Sequence, residues 1–147
     1  MFTSHFGKVK EIEAAGLVPI AISIGLPRWF KGRRVTDLAP SWAMLKLSPE
    51  EYDARYDRIL TKLDPKEIAK EIGDKGVMLC WEKPGEPGQS WDRCHRRRVA
   101  EWLEAALGIV ISEFGFERED VPAYSNMNSG LKKSKSAKPK KGRGLVQ

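Results

Sequence analysis

The chain has 147 residues, of which 41% are hydrophobic, and its formal net charge is +6. This length fits one domain with a real hydrophobic core, and the apolar content excludes a wholly disordered protein. Two cysteines are too few for a secreted disulfide scaffold, and no apolar run reaches the roughly 20 residues that a membrane span needs. Residues 1–16 have no apolar signal-peptide segment, so we expect a cytoplasmic protein with reduced thiols.

The first half of the chain contains signals for helices and a buried strand. Residues 3–15 are predicted to be helical, because their apolar side chains recur at helical spacing. Residues 17–24 form a nearly continuous apolar run that is typical of a strand buried on both faces. The irregular stretch 25–47 is long enough to indicate a functional loop. Helices are then predicted after Ser48 and after Asp64, since each is a capping residue followed by proline.

The second half repeats the alternation of strands and helices. Residues 76–82 predict a second buried strand, and Asp92 is expected to cap a helix over residues 93–107. Residues 109–114 predict a third strand. Strands that alternate with helices indicate an α/β fold, in which a short, mainly parallel sheet is flanked by helices in three layers.

The positive charge is concentrated in a C-terminal tail. Residues 131–147 carry seven basic side chains and no acid, which leaves 19 basic residues against 20 acids elsewhere. We therefore predict an α/β domain over residues 1–120 and a disordered, lysine-rich tail over residues 121–147. The tail's candidates for contact with nucleic acid are Lys132, Lys133, Lys135, Lys138, Lys140, Lys141 and Arg143.

Polar residues follow the predicted strands at the point where ligand sites gather. In a parallel sheet, each strand ends at the edge where the following helix begins. We expect thiol, imidazole and carboxyl groups there to be catalytic and arginines there to bind an anion. The catalytic candidates are Cys80, Glu82, Cys94 and His95, and the anion-binding candidates are Arg28 and Arg96.

The predicted start of the helix over residues 93–107 favours negative charge. With Asp92 as the cap, Cys94 would occupy the second helical position, where free N–H groups and the helix dipole stabilise an anion. The arginines of residues 93–98 add positive charge, although we expect Arg97 and Arg98 to be solvated. These effects lower the pKa of a thiol, and they also suit a phosphate pocket, so the sequence leaves both open.

Four alternatives compete with a catalytic role. Cys80 could be a small core residue, and His95 could be a packed histidine bonded to backbone. Cys80 and Cys94 could instead form a disulfide, or bind zinc together with His95 and either His5 or Glu82. Thirteen residues separate the two cysteines, which is poor spacing for zinc, so we expect no metal and no other cofactor.

Short motifs in the chain resemble those of a known family. Residues 79–82, with Cys80 and Glu82, and residues 94–96, Cys-His-Arg, are similar to a Cys-x-Glu, loop, Cys-His-Arg signature. Asp37-Leu38-Ala39-Pro40-Ser41 also resembles a family segment, as does Leu26-Pro27-Arg28. Together these motifs resemble the domain-of-unknown-function 488 family, in particular its YeaO-like branch. The resemblance implies an α/β fold and a real polar cluster, but no established activity.

One departure from that family, together with the charge pattern, shapes the expected function. Ser23-Ile24-Gly25 stands where relatives often carry an aspartate, so a mechanism that needs this carboxylate is not expected. We expect an enzyme or binding site for a phosphate-bearing ligand, either a nucleotide or a nucleic acid, with a cysteine nucleophile and His95 as acid and base. The alternative is a non-catalytic accessory protein that binds nucleic acid or a partner through its basic tail.

Overall fold

A parallel sheet forms the centre of the molecule in the computed structural model, which describes residues 1–84 and 93–124. The sheet has five strands in the order β3-β2-β4-β1-β5, and every neighbouring pair is parallel. The α/β prediction is therefore confirmed. The strands are β1 (Phe2–His5), β2 (Val18–Ala21), β3 (Arg33–Arg34), β4 (Gly76–Cys80) and β5 (Ser112–Glu113).

Helices cover both faces of the sheet. The α-helices are α1 (Val9–Ala14), α2 (Pro49–Thr61), α3 (Pro65–Ile72) and α4 (His95–Leu107). Short 3-10 turns occur at Phe6–Lys8, Thr36–Leu38, Trp42–Lys46 and Arg118–Asp120. Within the residues that the structure describes, no helix has both the length and the hydropathy that a bilayer crossing requires.

The starts of α2 and α3 follow from local chemistry and agree with the sequence prediction. The Ser48 hydroxyl accepts a hydrogen bond from the Glu51 N–H at 3.2 Å, and the Glu51 carboxylate accepts one from the Ser48 N–H at 3.4 Å. This reciprocal capping box satisfies two N–H groups that the helix itself leaves unpaired. The Asp64 carboxylate accepts from the Lys66 N–H at 3.0 Å, and Gly73 ends α3 with a φ of 83°.

Two apolar clusters separate the layers. On one face, α1 packs against the sheet through residues such as Ile12, Val77 and Leu79. On the other face, α2, α3 and α4 enclose a larger cluster, in which Cys80 and Cys94 are both buried. The two cysteines therefore lie between the sheet and its three-helix layer.

The predicted helix over residues 3–15 is wrong at its beginning, where the chain forms β1 instead. β1 is an interior strand, yet Thr3, Ser4 and His5 are polar. Burial of such a strand requires polar partners from elsewhere in the fold, and the Thr3 hydroxyl donates to the Glu113 carboxylate at 2.6 Å. That partner is distant in sequence, so no local pattern indicates it.

Three other predicted boundaries also change. The third strand shrinks to β5, since Val110 is 68% exposed and the apolar residues 109–111 precede the two residues that pair in the sheet. The irregular stretch 25–47 includes the edge strand β3 and two 3-10 turns. The last helix begins at His95 rather than at Arg93. The predicted cap Asp92 and the tail from residue 125 lie outside the described residues.

Candidate functional site

A cavity of about 690 Å³ opens at the carboxyl end of the sheet, where the topology predicts a ligand site. Its floor is formed by Cys80, the last residue of β4, and by Cys94 and His95 at the start of α4. We call these three residues the thiol–imidazole cluster. The walls are mainly apolar and aromatic, and they include Leu26, Pro40, Trp42, Leu45, Leu47, Pro49, Tyr52 and Trp81.

The orientation of His95 is fixed by the backbone. Its Nε2 lies 2.9 Å from the carbonyl oxygen of Ile22, and its Nδ1 lies 3.3 Å from the Cys80 Sγ. A carbonyl only accepts hydrogen bonds, so Nε2 must carry a proton. In the neutral imidazole, Nδ1 is therefore the nitrogen with the free lone pair. The Cys80 Sγ is also 3.5 Å from Nε2, so the sulfur lies beside the ring at similar distances from both nitrogens. His95 therefore donates a hydrogen bond to the backbone through Nε2, and its Nδ1 contacts the sulfur of Cys80.

The two thiols differ in their environment. Burial opposes ionisation of Cys94, yet the hydrogen bond from Cys80 and the positive charge of Arg96 outweigh it and hold the pKa of Cys94 well below its usual range. The Arg96 Nη1 donates to the Cys94 Sγ at 3.3 Å. Burial and the hydrogen bond with Cys94 raise the pKa of Cys80. Cys94 occupies the N-cap of α4 rather than the predicted second helical position.

Glu82 stands at the rim of the same cavity, two residues beyond the end of β4. Its carboxyl group is half-buried and shares a hydrogen bond with the Cys94 side chain. Burial, together with the negative charge of Cys94, raises the pKa of Glu82 to about 7. The structure therefore brings Glu82 together with the cluster, as the sequence predicted.

The two predicted anion-binding arginines are not brought together. Arg96 is fully buried, and its guanidinium forms an ion pair with Glu113 at 2.9 Å. Arg28 is exposed and does not line the cavity. Arg93 does line it, but donates to both carboxylate oxygens of Asp53 at 3.1 Å. The geometry of the described residues therefore assembles no anion clamp from Arg28 and Arg96.

The neighbouring arginines correct another prediction. Arg97, expected in solvent, is fully buried, where it donates to the Thr3 hydroxyl at 2.8 Å and to the Ile111 carbonyl at 3.2 Å. Arg98 is half-buried and pairs with Asp57 at 2.8 Å. Acceptors on β1 and before β5 make burial of Arg97 possible, and a charge run in the sequence gives no sign of them.

Two tryptophans that the sequence analysis did not assign to the site stand at the cavity mouth. Trp42 is 65% exposed and Trp81 is 51% exposed, although both are large apolar side chains. The Trp81 Nε1–H donates to the Gly25 carbonyl at 3.1 Å, and its ring centroid lies 5.1 Å from that of Phe6. Trp42 packs on Gly25, where an added Cβ would meet its ring at 3.4 Å. Both indoles therefore contact Gly25, and each indole is exposed at the cavity mouth.

Among residues 1–84 and 93–124, the cluster is also a group of side chains that could hold a metal ion. One donor atom from each of Cys80, Cys94 and His95 lies within 4.8 Å of the other two, and all three residues are buried. Both cysteines are free thiols, so the alternative of a disulfide is not realised in this structure. His5 lines a separate cavity of about 400 Å³, and its Nδ1 accepts from the Gly7 N–H at 3.3 Å.

Comparison with known proteins identifies no relative. No family model matches the chain, no curated protein is similar to it at a significant level, and no solved structure matches its fold. The resemblance to the domain-of-unknown-function 488 family therefore stays a prediction, and the function has to be argued from the site.

Proposed function

We propose that the protein is an enzyme acting on a small, mainly uncharged molecule with a planar ring, which binds in the 690 Å³ cavity with its reacting group at the thiol–imidazole cluster. The observation that carries this proposal is a buried set of thiol and imidazole groups at the floor of an otherwise largely apolar cavity. Substrate sites typically have volumes of about 300–1,000 Å³ and a few convergent polar groups, and this cavity fits both criteria.

The charge distribution favours an uncharged ligand. The arginines nearest the floor already have carboxylate partners, Arg93 with Asp53 and Arg96 with Glu113. A phosphate would have to compete with one of these ion pairs, and in the buried pair the loss would leave a carboxylate without its partner. We therefore prefer an uncharged substrate to the phosphate-bearing ligand that the sequence predicted.

The aromatic mouth favours a planar ring. Trp81 is held by its hydrogen bond to Gly25 and by Phe6, so its exposed face is presented without further ordering. Stacking of a ring on such a face contributes about 1–3 kcal/mol in nucleobase complexes. The reacting group would then point inward, where Glu82 can exchange a proton with the substrate.

A pair of chromogenic probes tests this proposal. p-Nitrophenyl acetate has a planar ring and an uncharged electrophilic carbonyl, whereas p-nitrophenyl phosphate carries the charge that the cavity does not favour. We expect repeated turnover of the acetate, little of the phosphate, and loss of acetate turnover in Cys94→Ser. Faster hydrolysis of the phosphate, or equal acetate hydrolysis by Cys94→Ser, would overturn the proposal.

A matched pair of tryptophan variants tests the ring subsite. Trp81→Leu should raise KM for p-nitrophenyl acetate about 10-fold, in line with the loss of one stacking contact. Trp29→Leu is the control, because Trp29 is 57% exposed and packs on Phe6 but does not line the cavity. Equal effects of the two substitutions would show that Trp81 supports the fold rather than the ligand.

A further inference from the structure

We propose that Cys80, Cys94 and His95 form a binding site for a zinc ion with a fourth coordination position open to the cavity. This inference deepens the proposed function. It rests on that function in one respect only, which is that the substrate binds in the cavity and can reach the open coordination position. The zinc site itself depends on the positions of three side chains, on their chemistry and on the charges around them.

The distances between the donor atoms are close to those that a shared ion requires. Zinc bonds of about 2.3 Å to sulfur and about 2.0–2.1 Å to nitrogen, at tetrahedral angles, place a sulfur and a nitrogen about 3.6 Å apart and two sulfurs about 3.8 Å apart. The Cys80 Sγ and His95 Nδ1 are 3.3 Å apart, and all three donors lie within 4.8 Å of one another. The bound of 4.8 Å exceeds the tetrahedral separations by about 1 Å, so side-chain shifts on the order of 1 Å would complete the geometry.

The tautomer of His95 is the one that a metal ligand needs. Histidine ligands commonly donate their second ring N–H to a backbone carbonyl, which fixes the tautomer and leaves the other lone pair for the metal. The Ile22 carbonyl accepts the Nε2–H at 2.9 Å, which leaves Nδ1 free to bind a metal ion. The Cys80 Sγ lies 3.3 Å from Nδ1 and 3.5 Å from Nε2, so the ring has to turn to direct this lone pair at an ion shared with the sulfur. Two thiolates and one imidazole are donors that zinc prefers over the oxygen ligands of magnesium or calcium.

The charges around the cluster balance when a divalent ion is bound. Buried charge is costly unless it is compensated, and two thiolates neutralise one Zn²⁺. The cation nearest the sulfurs is Arg96, whose Nη1 lies 3.3 Å from the Cys94 Sγ. Its own charge is compensated by Glu113 at 2.9 Å. The set of two thiolates, one imidazole, one ion pair and the metal is therefore neutral overall in its buried surroundings.

The fourth position explains why the site would be catalytic rather than structural. The three donors of the described chain leave one tetrahedral position, and all three residues line the cavity. Closed sites with four protein ligands are structural, whereas three protein ligands and an open position are typical of catalytic zinc. A bound zinc ion would polarise a carbonyl and increase the acidity of a water molecule.

Titration of the reduced, full-length protein with Co²⁺ and then Zn²⁺ tests the site. We expect one ion per chain, thiolate-to-cobalt charge-transfer absorption, and displacement of cobalt by zinc. Cys80→Ser and Cys94→Ser should remove the absorption and weaken zinc binding by about 100-fold or more, since even outer-shell changes cost about 10–100-fold. His5→Gln is the matched control, because the other histidine of the chain lies outside the cluster and should not change binding.

A measurement on the wild-type chain avoids dependence on variants that fail to fold. Zinc should protect both cysteines from alkylation by iodoacetamide. Removal of zinc with a chelator should restore alkylation at both cysteines, which intact-mass measurement detects as two adducts per chain. Absence of the cobalt band, or equal alkylation with and without zinc, would overturn the metal site even if the ester is hydrolysed. Zinc binding without any hydrolysis of p-nitrophenyl acetate would instead overturn the proposed function and leave the metal site standing.

Discussion

The ion pair between Arg96 and Glu113 gives the sharpest stability prediction, and the change that tests it is Glu113→Gln. The two side chains are 0% and 1% exposed, and one carboxylate oxygen also accepts from the Thr3 hydroxyl at 2.6 Å. Glutamine keeps the shape, but it removes the negative charge and turns an NH₂ group toward a guanidinium that can only donate. Loss of one partner from a buried pair costs about 3–5 kcal/mol, which is a large part of a typical domain's 5–15 kcal/mol.

Urea unfolding followed by circular dichroism measures this change. With a denaturant slope of about 2 kcal/mol per molar, a loss of about 4 kcal/mol lowers the unfolding midpoint by about 2 M. Glu11→Gln is the control, because Glu11 pairs with Lys8 at 3.9 Å on the surface, where such pairs contribute about 1 kcal/mol or less. A midpoint for Glu113→Gln within about 0.5 M of wild type, which is the range expected for the control, would refute the reasoning.

Three further substitutions test individual contacts of the fold by the same unfolding measurement. Ser48→Ala removes the side-chain acceptor of the α2 capping box and should cost about 0.5–2 kcal/mol; an unchanged midpoint would contradict it. Gly76→Ala would place a Cβ 2.5 Å from the backbone oxygen of Ile72, and we expect a loss of about 1–3 kcal/mol or more. Tyr56→Phe removes a hydrogen bond of 2.6 Å to the buried Leu38 carbonyl and should cost about 1–3 kcal/mol, whereas a gain in stability would show that the carbonyl is solvated.

Elements with strong local signals were predictable. The starts of α2 and α3 follow from Ser48 and Asp64, whose side chains cap backbone N–H groups within three residues. β4 follows from a continuous apolar run that is buried at all five positions. In these places local preference and tertiary packing favour the same structure, which is the condition under which sequence patterns are reliable.

Elements that depend on distant partners were not predictable. Phe6 and the apolar residues after it suggest one long helix, but Thr3 is drawn into the sheet by Glu113, and Arg97 is buried by the same polar network. The apolar residues after α4 suggest a longer strand than β5, yet β5 pairs only with Phe2 and Thr3 at the sheet edge. Tertiary contacts override local preference in each case.

The candidate site was predictable in position but not in composition. Parallel topology alone placed Cys80 beside Cys94 and His95, in spite of the thirteen residues between the two cysteines. The spacing rules for zinc describe compact local loops, and they do not apply to ligands that a strand end and a helix start bring together. The pairing of Arg96 with Glu113 was not visible, because a carboxylate on β5 has no fixed sequence distance from α4.

The position of β1 in the sheet has a consequence for the order of folding. β1 lies between β4 and β5, so Phe2 pairs with Val77 and with Ser112, which are far away in the chain. β2 and β4 pair with each other directly, and α3 connects to β4 through a short turn. Closure of long loops is entropically costly and slows folding. We therefore expect the pairing of β1 with β5, which joins Phe2 to Ser112 near the two ends of the described chain, to be among the last contacts of the sheet to form.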